Sequence, residues 1–367
     1  MDDLWRSPVP DLLFEDEQDT RIAELGRLLD EPEAVTGQTP LHRVTIFLTY
    51  RCNLDCPYCK TIARSEAELV ARPQKRLTWD LERFERYLDE HEGTPIRHLH
   101  FTGGEATLLR TLPQMIRSAK ARGVEQVSVT TNGTLSPQRY LELIDAGLDE
   151  VRVSIDAADP SLGEAMTGRT HAWSRAVETL AALGRARREG RRFFLIVNTV
   201  VGAANRGQLP ELVSFLLALG PDDLKLITDV DQRDGLGSFP GALDVTRRLR
   251  EVLANFAPAA FPLLRRKLRT VFARDAIGLE HLPPTEGWRC FVPLTERTVD
   301  GASYYPCSVY LREGGTPLGP LSDSQEVQRA NSARFAREGA CQSDPLCRKY
   351  CLHCTTTYNV RANGARR

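Results

Sequence analysis

An α/β fold, a partial and open (β/α)6 barrel followed by a small cysteine-rich C-terminal extension, is what three features of the chain predict. Between residues 43 and 235, short β-branched runs alternate with amphipathic runs six times over. Small and polar residues gather at the C-terminal ends of several of those β-branched runs. After about Asp231 the alternation stops, and a turn-rich segment carrying six of the nine cysteines completes the sequence.

Residues 1–42 are acidic and punctuated by proline, with one helical stretch at 20–29. They read as an N-terminal extension that packs on the main domain or frays, too short for a dedicated peptide-binding domain. Strands are predicted at 44–49, 96–101, 126–131, 150–155, 193–200 and 224–228. Helices are predicted at 78–92, 106–122, 171–189 and 208–219, and between Ser136 and Gly147. There Ser136 stands as N-cap, Pro137 takes the first helical position and Gly147 closes the helix. Six units in series imply a parallel sheet with right-handed crossovers. Six are too few to close an eightfold barrel, so the barrel is open, and its functional face is the C-terminal end of the strands. The domain boundary is placed at 235, and 236–367 holds helices at 245–256 and 263–276 before the cysteine-bearing segment that starts at Trp288. The Arg-rich runs at 185–192 and 265–269 read as solvated helix faces.

Composition narrows the function. A net charge of −1 gives no field that would favour nucleic acid or an anionic membrane. No apolar run is long enough to span a bilayer, and the N-terminus lacks the order of a signal peptide. A cytoplasmic protein is expected. Nine cysteines in a reducing compartment point to metal or redox chemistry rather than disulfides.

Cys52, Cys56 and Cys59 lie in the run Tyr50-Arg-Cys-Asn-Leu-Asp-Cys-Pro-Tyr-Cys59, spaced C-x3-C-x2-C directly after the first strand. Three thiolates this close suit three irons of a cubane and leave the fourth iron open to a small molecule, whereas four-cysteine sites hold closed clusters. Zinc asks for four N/S ligands, and the nearest extra candidate, His42, is on the far side of the first strand. Further motifs end the next strands: Phe101-Thr-Gly-Gly-Glu105, Thr131-Asn-Gly133 and Val153-Ser-Ile-Asp-Ala157. Paired glycines permit close approach to backbone, and a carboxylate there can accept from an ammonium group. Singly, each reads equally well as a plain turn.

In this order and spacing, the motifs between 43 and 228 resemble the radical S-adenosylmethionine (radical SAM) superfamily. The stretches from Ser154 to Ser161, Thr167-Gly-Arg169 and Asn198-Thr-Val-Val201 are also similar to the core of the GTP 3′,8-cyclase of molybdenum cofactor synthesis. That enzyme's tail ends in Gly-Gly and this sequence ends Gly-Ala-Arg-Arg, so its activity is not assigned. The resemblance implies a barrel of the radical SAM type in which Cys52, Cys56 and Cys59 hold a [4Fe–4S] cluster and SAM chelates the open iron. It implies Gly103, Gly104 and Glu105 at the methionine end, with Glu105 accepting from the amino group. Ser154 and Arg169 would face the carboxylate, Asn132 and Asp156 would make nearby polar contacts, and Tyr58 would stand near the adenine. The cofactor supplies the radical, and the protein orients it.

The remaining cysteines are Cys290, Cys307, Cys341, Cys347, Cys351 and Cys354, and they resemble the SPASM or twitch extension that binds auxiliary iron–sulfur clusters. Glu338 stands where that pattern has a further cysteine. Two assignments stay open. In one, Cys290, Cys307, Cys351 and Cys354 hold a single cluster. In the other, Cys290, Cys307 and Cys351 hold one and Cys341, Cys347 and Cys354 a second. A zinc knuckle is the plain alternative. An extra cluster suits a substrate radical that must lose an electron. The expected function is therefore net oxidation or cross-linking in the maturation of a ribosomally made peptide. An oxidoreductase or maturase of this kind needs a reductase or a flavodoxin- or ferredoxin-type electron donor. The alternative is a dehydrogenase, epimerase or decarboxylase acting on a sugar, aminocyclitol or nucleoside. A bare electron carrier would leave the Gly-Gly-Glu motif without purpose. Asp229, Asp231 and Arg233, and also Tyr304 and Tyr305, are further candidates to face substrate.

Overall fold

The computed structural model describes residues 15–36, 38–228, 241–271, 289–338, 344–351, 359, 362–364 and 366. Six parallel strands stand in chain order: β1 (Arg43–Thr49), β2 (His98–Gly103), β3 (Gln126–Thr131), β4 (Glu150–Ser154), β5 (Phe194–Val201) and β6 (Asp223–Thr228). Each strand adds beside the one before it, so the helices share one face and the sheet curls into an open (β/α)6 barrel. Side chains alternate across it. Val44, Ile46, Leu48, Leu99, Phe101, Val127 and Val129 are fully buried in the main core with Phe84, Met115 and Leu180 of the helices. The alternate positions carry His98, His100, Ser128, Thr130, Glu150 and Arg152, which line a polar inner wall. Ser128 Oγ lies 2.6 Å from His98 Nε2 and 2.7 Å from His100 Nδ1, and Arg152 pairs with Glu150.

The helices are α1 (Glu15–Asp30), α2 (Glu66–Ala71), α3 (Leu81–Asp89), α4 (Leu112–Ala121), α5 (Pro137–Asp145), α6 (Pro160–Thr167), α7 (Ala172–Arg188) and α8 (Leu209–Ala218). Beyond the barrel come α9 (Ala242–Ala254), α10 (Pro262–Val271), α11 (Val292–Thr295), α12 (Ser308–Arg312), α13 (Gln325–Arg337) and α14 (Pro345–Tyr350). Local chemistry sets their ends. The Asp80 side chain accepts the Arg83 N–H at 2.8 Å, so α3 starts later than the expected 78. The helix expected over 106–122 divides, because Glu105 caps a short 3-10 turn at Ala106–Leu108 and α4 restarts with Pro113 in its first turn. Pro137 opens α5 as expected, although the Ser136 side chain makes no capping bond. Two short helices, α2 and α6, escape the periodicity reading, and both begin at a capping side chain, Ser65 and Asp159.

The extension continues the barrel's own sheet. β7 (Glu296–Val299) pairs parallel with β1, and β8 (Ser303–Tyr305) and β9 (Gly319–Pro320) follow antiparallel. The sheet has nine strands in the order β6-β5-β4-β3-β2-β1-β7-β8-β9. The N-terminal segment was expected to pack on the main domain or fray; Leu25 and Leu29 of α1, with Val35, instead share a core with Phe291, Leu294 and Ala336 of the extension. Their apolar face has more buried surface to gain there than from solvent. Among the described residues no helix is long and apolar enough to cross a membrane.

Candidate active site at the C-terminal ends of the strands

Chain order takes β1 straight into the cysteine loop, so Cys52, Cys56 and Cys59 open onto the C-terminal edge of the sheet. All three are half-buried and none is in a disulfide. The Leu54 N–H donates to Cys52 Sγ at 3.4 Å, and the Cys59 N–H to the Cys56 carbonyl at 3.0 Å. Arg64 pairs with Asp55 and donates to the Cys56 carbonyl, and the Asp55 N–H reaches the Thr167 carbonyl at 3.0 Å. Burial, then the neighbouring thiols Cys59 and Cys52 and the Asp156 carboxylate, push the Cys56 thiol up to about 12. Burial pushes the Cys52 thiol up as well, and Glu105 and Cys59 add to it. Three mutually repelling soft donors are a set that a positively charged iron–sulfur core would relieve, with release of their protons. Among the described residues no three His, Cys, Asp or Glu converge on a single ion. A cubane, in which each thiolate would bind a different iron, does not require three donors to converge on one ion. His42 precedes β1 and is therefore roughly 20 Å of strand away from the loop, by the rise of an extended chain.

The Gly-Gly-Glu turn packs directly on this loop. Gly104 N–H donates to the Thr49 carbonyl at 2.6 Å, and Glu105 N–H to the Arg51 carbonyl at 2.8 Å. A Cβ at Gly103 would overlap the Thr49 carbonyl oxygen, and one at Gly104 the Arg51 carbonyl oxygen. Glycine is thus required for the chain's own backbone approach. Glu105 is buried. Its Oε1 accepts from Thr107 N at 3.1 Å, Thr107 Oγ1 at 2.5 Å and Thr131 Oγ1 at 2.8 Å, and its Oε2 from Asn132 N at 2.7 Å. Desolvation raises its pKa, and these donors counter it.

Asn132 Nδ2 lies 3.8 Å from Cys52 Sγ and donates to Asn53 Oδ1 at 2.8 Å, while its Oδ1 accepts from Thr134 Oγ1 at 2.7 Å. Asn53 Nδ2 closes the ring on Thr134 Oγ1 at 2.8 Å. Tyr58 donates its hydroxyl to Asp156 Oδ2, and Asp156 Oδ1 accepts from Val200 N at 2.6 Å. Burial lifts the Asp156 carboxyl to about 6 against these two hydrogen bonds. Ser154 ends β4 in register with Asn198 of β5. Asn198 Oδ1 is buried without a hydrogen-bond partner among the described residues. Arg169 is exposed on the turn after α6, where Gly168 lies tight against the Asp55 carbonyl.

The structure therefore brings Cys52, Cys56, Cys59, Tyr58, Glu105, Asn132 and Asp156 into one bonded assembly. Ser154 stands at its edge and Arg169 on its rim. Asn53, Thr107, Thr131, Thr134 and Asn205 belong to it and were not among the site residues expected from the sequence, and Asn198 flanks it in register with Ser154. Asn205 Nδ2 donates to the Asp156 carbonyl at 2.8 Å and to the Val200 carbonyl at 2.7 Å. Strict alternation of polar residues along β2, β3 and β4 was the available signal for the inner wall.

In the extension, Cys290, Cys307, Cys347 and Cys351 form one group. Cys307 caps α12, its Sγ accepting the Tyr310 N–H at 3.4 Å, and the Tyr310 hydroxyl donates to Asp344 at the start of α14 at 2.8 Å. Burial, then the thiols of Cys307 and Cys290, raise the Cys347 pKa. Burial and Cys351 push Cys307 up to about 12. Both assignments implied by the resemblance put Cys290, Cys307 and Cys351 together, and both also use Cys354. Cys341 and Cys354 lie outside the described residues, as do Asp229, Asp231 and Arg233. Tyr304 is a core residue, whereas Tyr305 lines a cavity beside the cysteine loop.

Residues 46–216 match the Radical SAM superfamily. A probable GTP 3′,8-cyclase of Sulfolobus acidocaldarius is 32% identical over 188 residues, 51% of this chain and 56% of that protein. The PqqA peptide cyclase of Bradyrhizobium diazoefficiens is 30% identical over 183 residues, 50% of this chain and 45% of that protein. The chain thus spans about half the length of these relatives. Among solved structures, native anSMEcpe with bound AdoMet and Cp18Cys peptide aligns at a TM-score of 0.57 and 14% identity, covering 88% of this chain and 94% of that one.

Proposed function

We propose that this chain, whose residues 46–216 match the Radical SAM superfamily, cleaves SAM reductively and takes a hydrogen atom from a peptide, in a net oxidation or cross-link of peptide maturation. The observation that carries the reading is the three-thiol loop bonded to the ends of β2, β3 and β4. Cys52, Cys56 and Cys59 would hold three irons of a [4Fe–4S] cluster. When reduced, such a cluster would supply the single electron that reductive cleavage of SAM consumes. Arg64 and the Asn53–Asn132–Thr134 ring hold the loop. Gly103, Gly104 and Glu105 shape the methionine end. With its oxygens engaged by Thr107, Thr131 and Asn132, Glu105 acts there as a positioning residue. Ser154 and Arg169 are assigned to the SAM carboxylate, Tyr58 and Asp156 to the adenosine side. Cys290, Cys307, Cys347 and Cys351 would hold an auxiliary iron–sulfur cluster, the sink for the electron a substrate radical gives up.

The peptide reading is supported by a fold likeness to peptide-bound anSMEcpe that extends through the extension, and by the 30% identity to a peptide cyclase. The 32% identity to a GTP cyclase favours a second reading, a small nucleotide-like substrate. The test replaces Cys52, Cys56 and Cys59 together with alanine. Anaerobic reduction with dithionite should then yield no 5′-deoxyadenosine, while iron and sulfide in the extension persist. Continued SAM cleavage would sink the radical SAM chemistry. Absence of iron from the variant would remove the auxiliary cluster, and with it the lean towards net oxidation.

A further inference from the structure

A cavity of about 550 Å³ lies beside the cysteine loop, on the side away from β2. Its walls come from four stretches: Tyr50, Lys60 and Thr61 at the two ends of the loop, 71–77 after α2, 302–305 at the turn into β8, and 311–317 at the end of α12. Four cations line it: Lys60, Arg72, Lys75 and Arg312. Two are neutralised. Lys60 pairs with Glu313 at 2.8 Å and Lys75 with Glu68 at 2.6 Å. The carboxylate behind the tyrosines, Asp300, is also committed. Its Oδ2 accepts from Tyr50 at 3.2 Å and Tyr305 at 3.1 Å, and its Oδ1 from the backbone N–H groups of Ala302 and Ser303, each at 2.8 Å.

Arg72 and Arg312 differ. Both are half-buried, and among the described residues neither guanidinium makes a hydrogen bond or an ion pair. Arg72 is held in place: its guanidinium fills the space where a Cβ of Gly314 would sit, and Gly314 has the left-handed φ of 82° that spares it a side chain. Arg312 is within electrostatic reach of Glu313, Cys307 and Cys59, which places it at the seam between the two cysteine groups. A partly desolvated guanidinium with no hydrogen-bonded counter-ion is costly. Two of them on one cavity of ligand size are cheapest to explain as forks awaiting planar or tetrahedral oxygens.

We propose that this cavity is an oxyanion site in which Arg72 and Arg312 grip a carboxylate or phosphate of the substrate. The inference rests on the proposed function only in calling the anion a substrate group. Peptide carboxylates and phosphate esters share this chemistry, and two probes separate them.

Isothermal titration of the anaerobically reconstituted full chain, without SAM or reductant, uses pyrophosphate and, separately, an acetylated triglutamate amide. Saturable binding is expected, weakened at least tenfold in Arg72→Gln and in Arg312→Gln at unchanged iron content. Binding of pyrophosphate alone identifies a phosphate ester, binding of the peptide alone an acidic peptide, and binding of both a general oxyanion site. If neither probe binds, or the glutamine variants bind as tightly as the wild type, the proposal falls. In the wild type, the bound probe should slow phenylglyoxal modification of Arg72 and Arg312, read by peptide mass spectrometry. Unaltered modification overturns the proposal without depending on how the variants fold. Because the measurement needs no turnover, failure of radical chemistry and failure of this site are separate results.

Discussion

Tyr58 and Asp156 tie the cysteine loop to the end of β4 through one buried hydrogen bond. Its worth depends on charge, because a donor to an ionised carboxylate counts for more than one to a neutral acid. Tyr58→Phe removes one of two hydrogen bonds that hold the Asp156 pKa down at about 6, so the carboxyl rises further. The variant then binds its proton to higher pH when folded, and loses stability relative to wild type as pH rises past 6. Denaturant unfolding of the apo-protein should show a deficit of about 1–3 kcal/mol at pH 8 that shrinks at pH 5. Equal deficits at both values would show that Asp156 is not the charged partner. Tyr58, Glu105, Asn132 and Asp156 were legible because each belongs to a short motif. Asn53 and Thr131 stand in the same motifs yet took no role from them, and Thr107 lies outside them, since their role exists only through bonds closed across the fold, such as Thr131 to Glu105 and Asn132 to Asn53.

The Gly-Gly-Glu turn shows the same limit at the level of an element. Paired glycines at a strand end were read as room for a ligand. The room is taken by the chain itself, with the Thr49 and Arg51 carbonyls against Gly103 and Gly104. Gly104→Ala should force the cysteine loop away from β2 and cost about 1–3 kcal/mol, the usual range for overpacking. Iron and sulfide per chain, measured after reconstitution, should fall, whereas Gly207→Ala, at an open position, should leave both unchanged. Full cluster loading in Gly104→Ala would refute the packing argument. The divided helix over 106–122 has a related cause. The helical period runs through the segment, but the Glu105 cap and Pro113 decide where turns begin.

Barrel and extension are joined at the scale of the whole molecule by more than the β1–β7 ladder. Buried His91, just after α3, accepts the Arg297 Nη1–H of β7 at 3.1 Å, and the same Nη1 donates to Gln325 Oε1 of α13 at 2.9 Å. His91 Nδ1 meets the Tyr87 carbonyl at 2.7 Å, so the ring is neutral with its proton on Nδ1. Burial, then the Arg297 charge, lowers its pKa to about 3. The unfolded chain binds this proton near pH 6.5 and the folded chain does not, so the latch's stability is whole above that pH and lost as pH falls towards 3. His91→Gln should remove up to about 1.4 kcal/mol of acid destabilisation per pH unit in that window. Unfolding midpoints of the two proteins compared from pH 7 to pH 4 check it. Parallel pH profiles would show that His91 does not titrate on unfolding.

The sequence by itself determined the strand series, the open parallel barrel, the cysteine loop at its functional edge and a second cysteine group behind it. These follow from short-range properties: side-chain period, turn chemistry and spacing within one loop. Only the tertiary structure decided that the extension adds its strands to β1, that α1 packs on the extension, that Cys347 joins Cys290, Cys307 and Cys351, and that Arg72 and Arg312 share a cavity. Each of these is a contact between residues far apart in the chain. It is set by which apolar faces find one another and which backbone edges remain free to pair, and no local pattern records that choice.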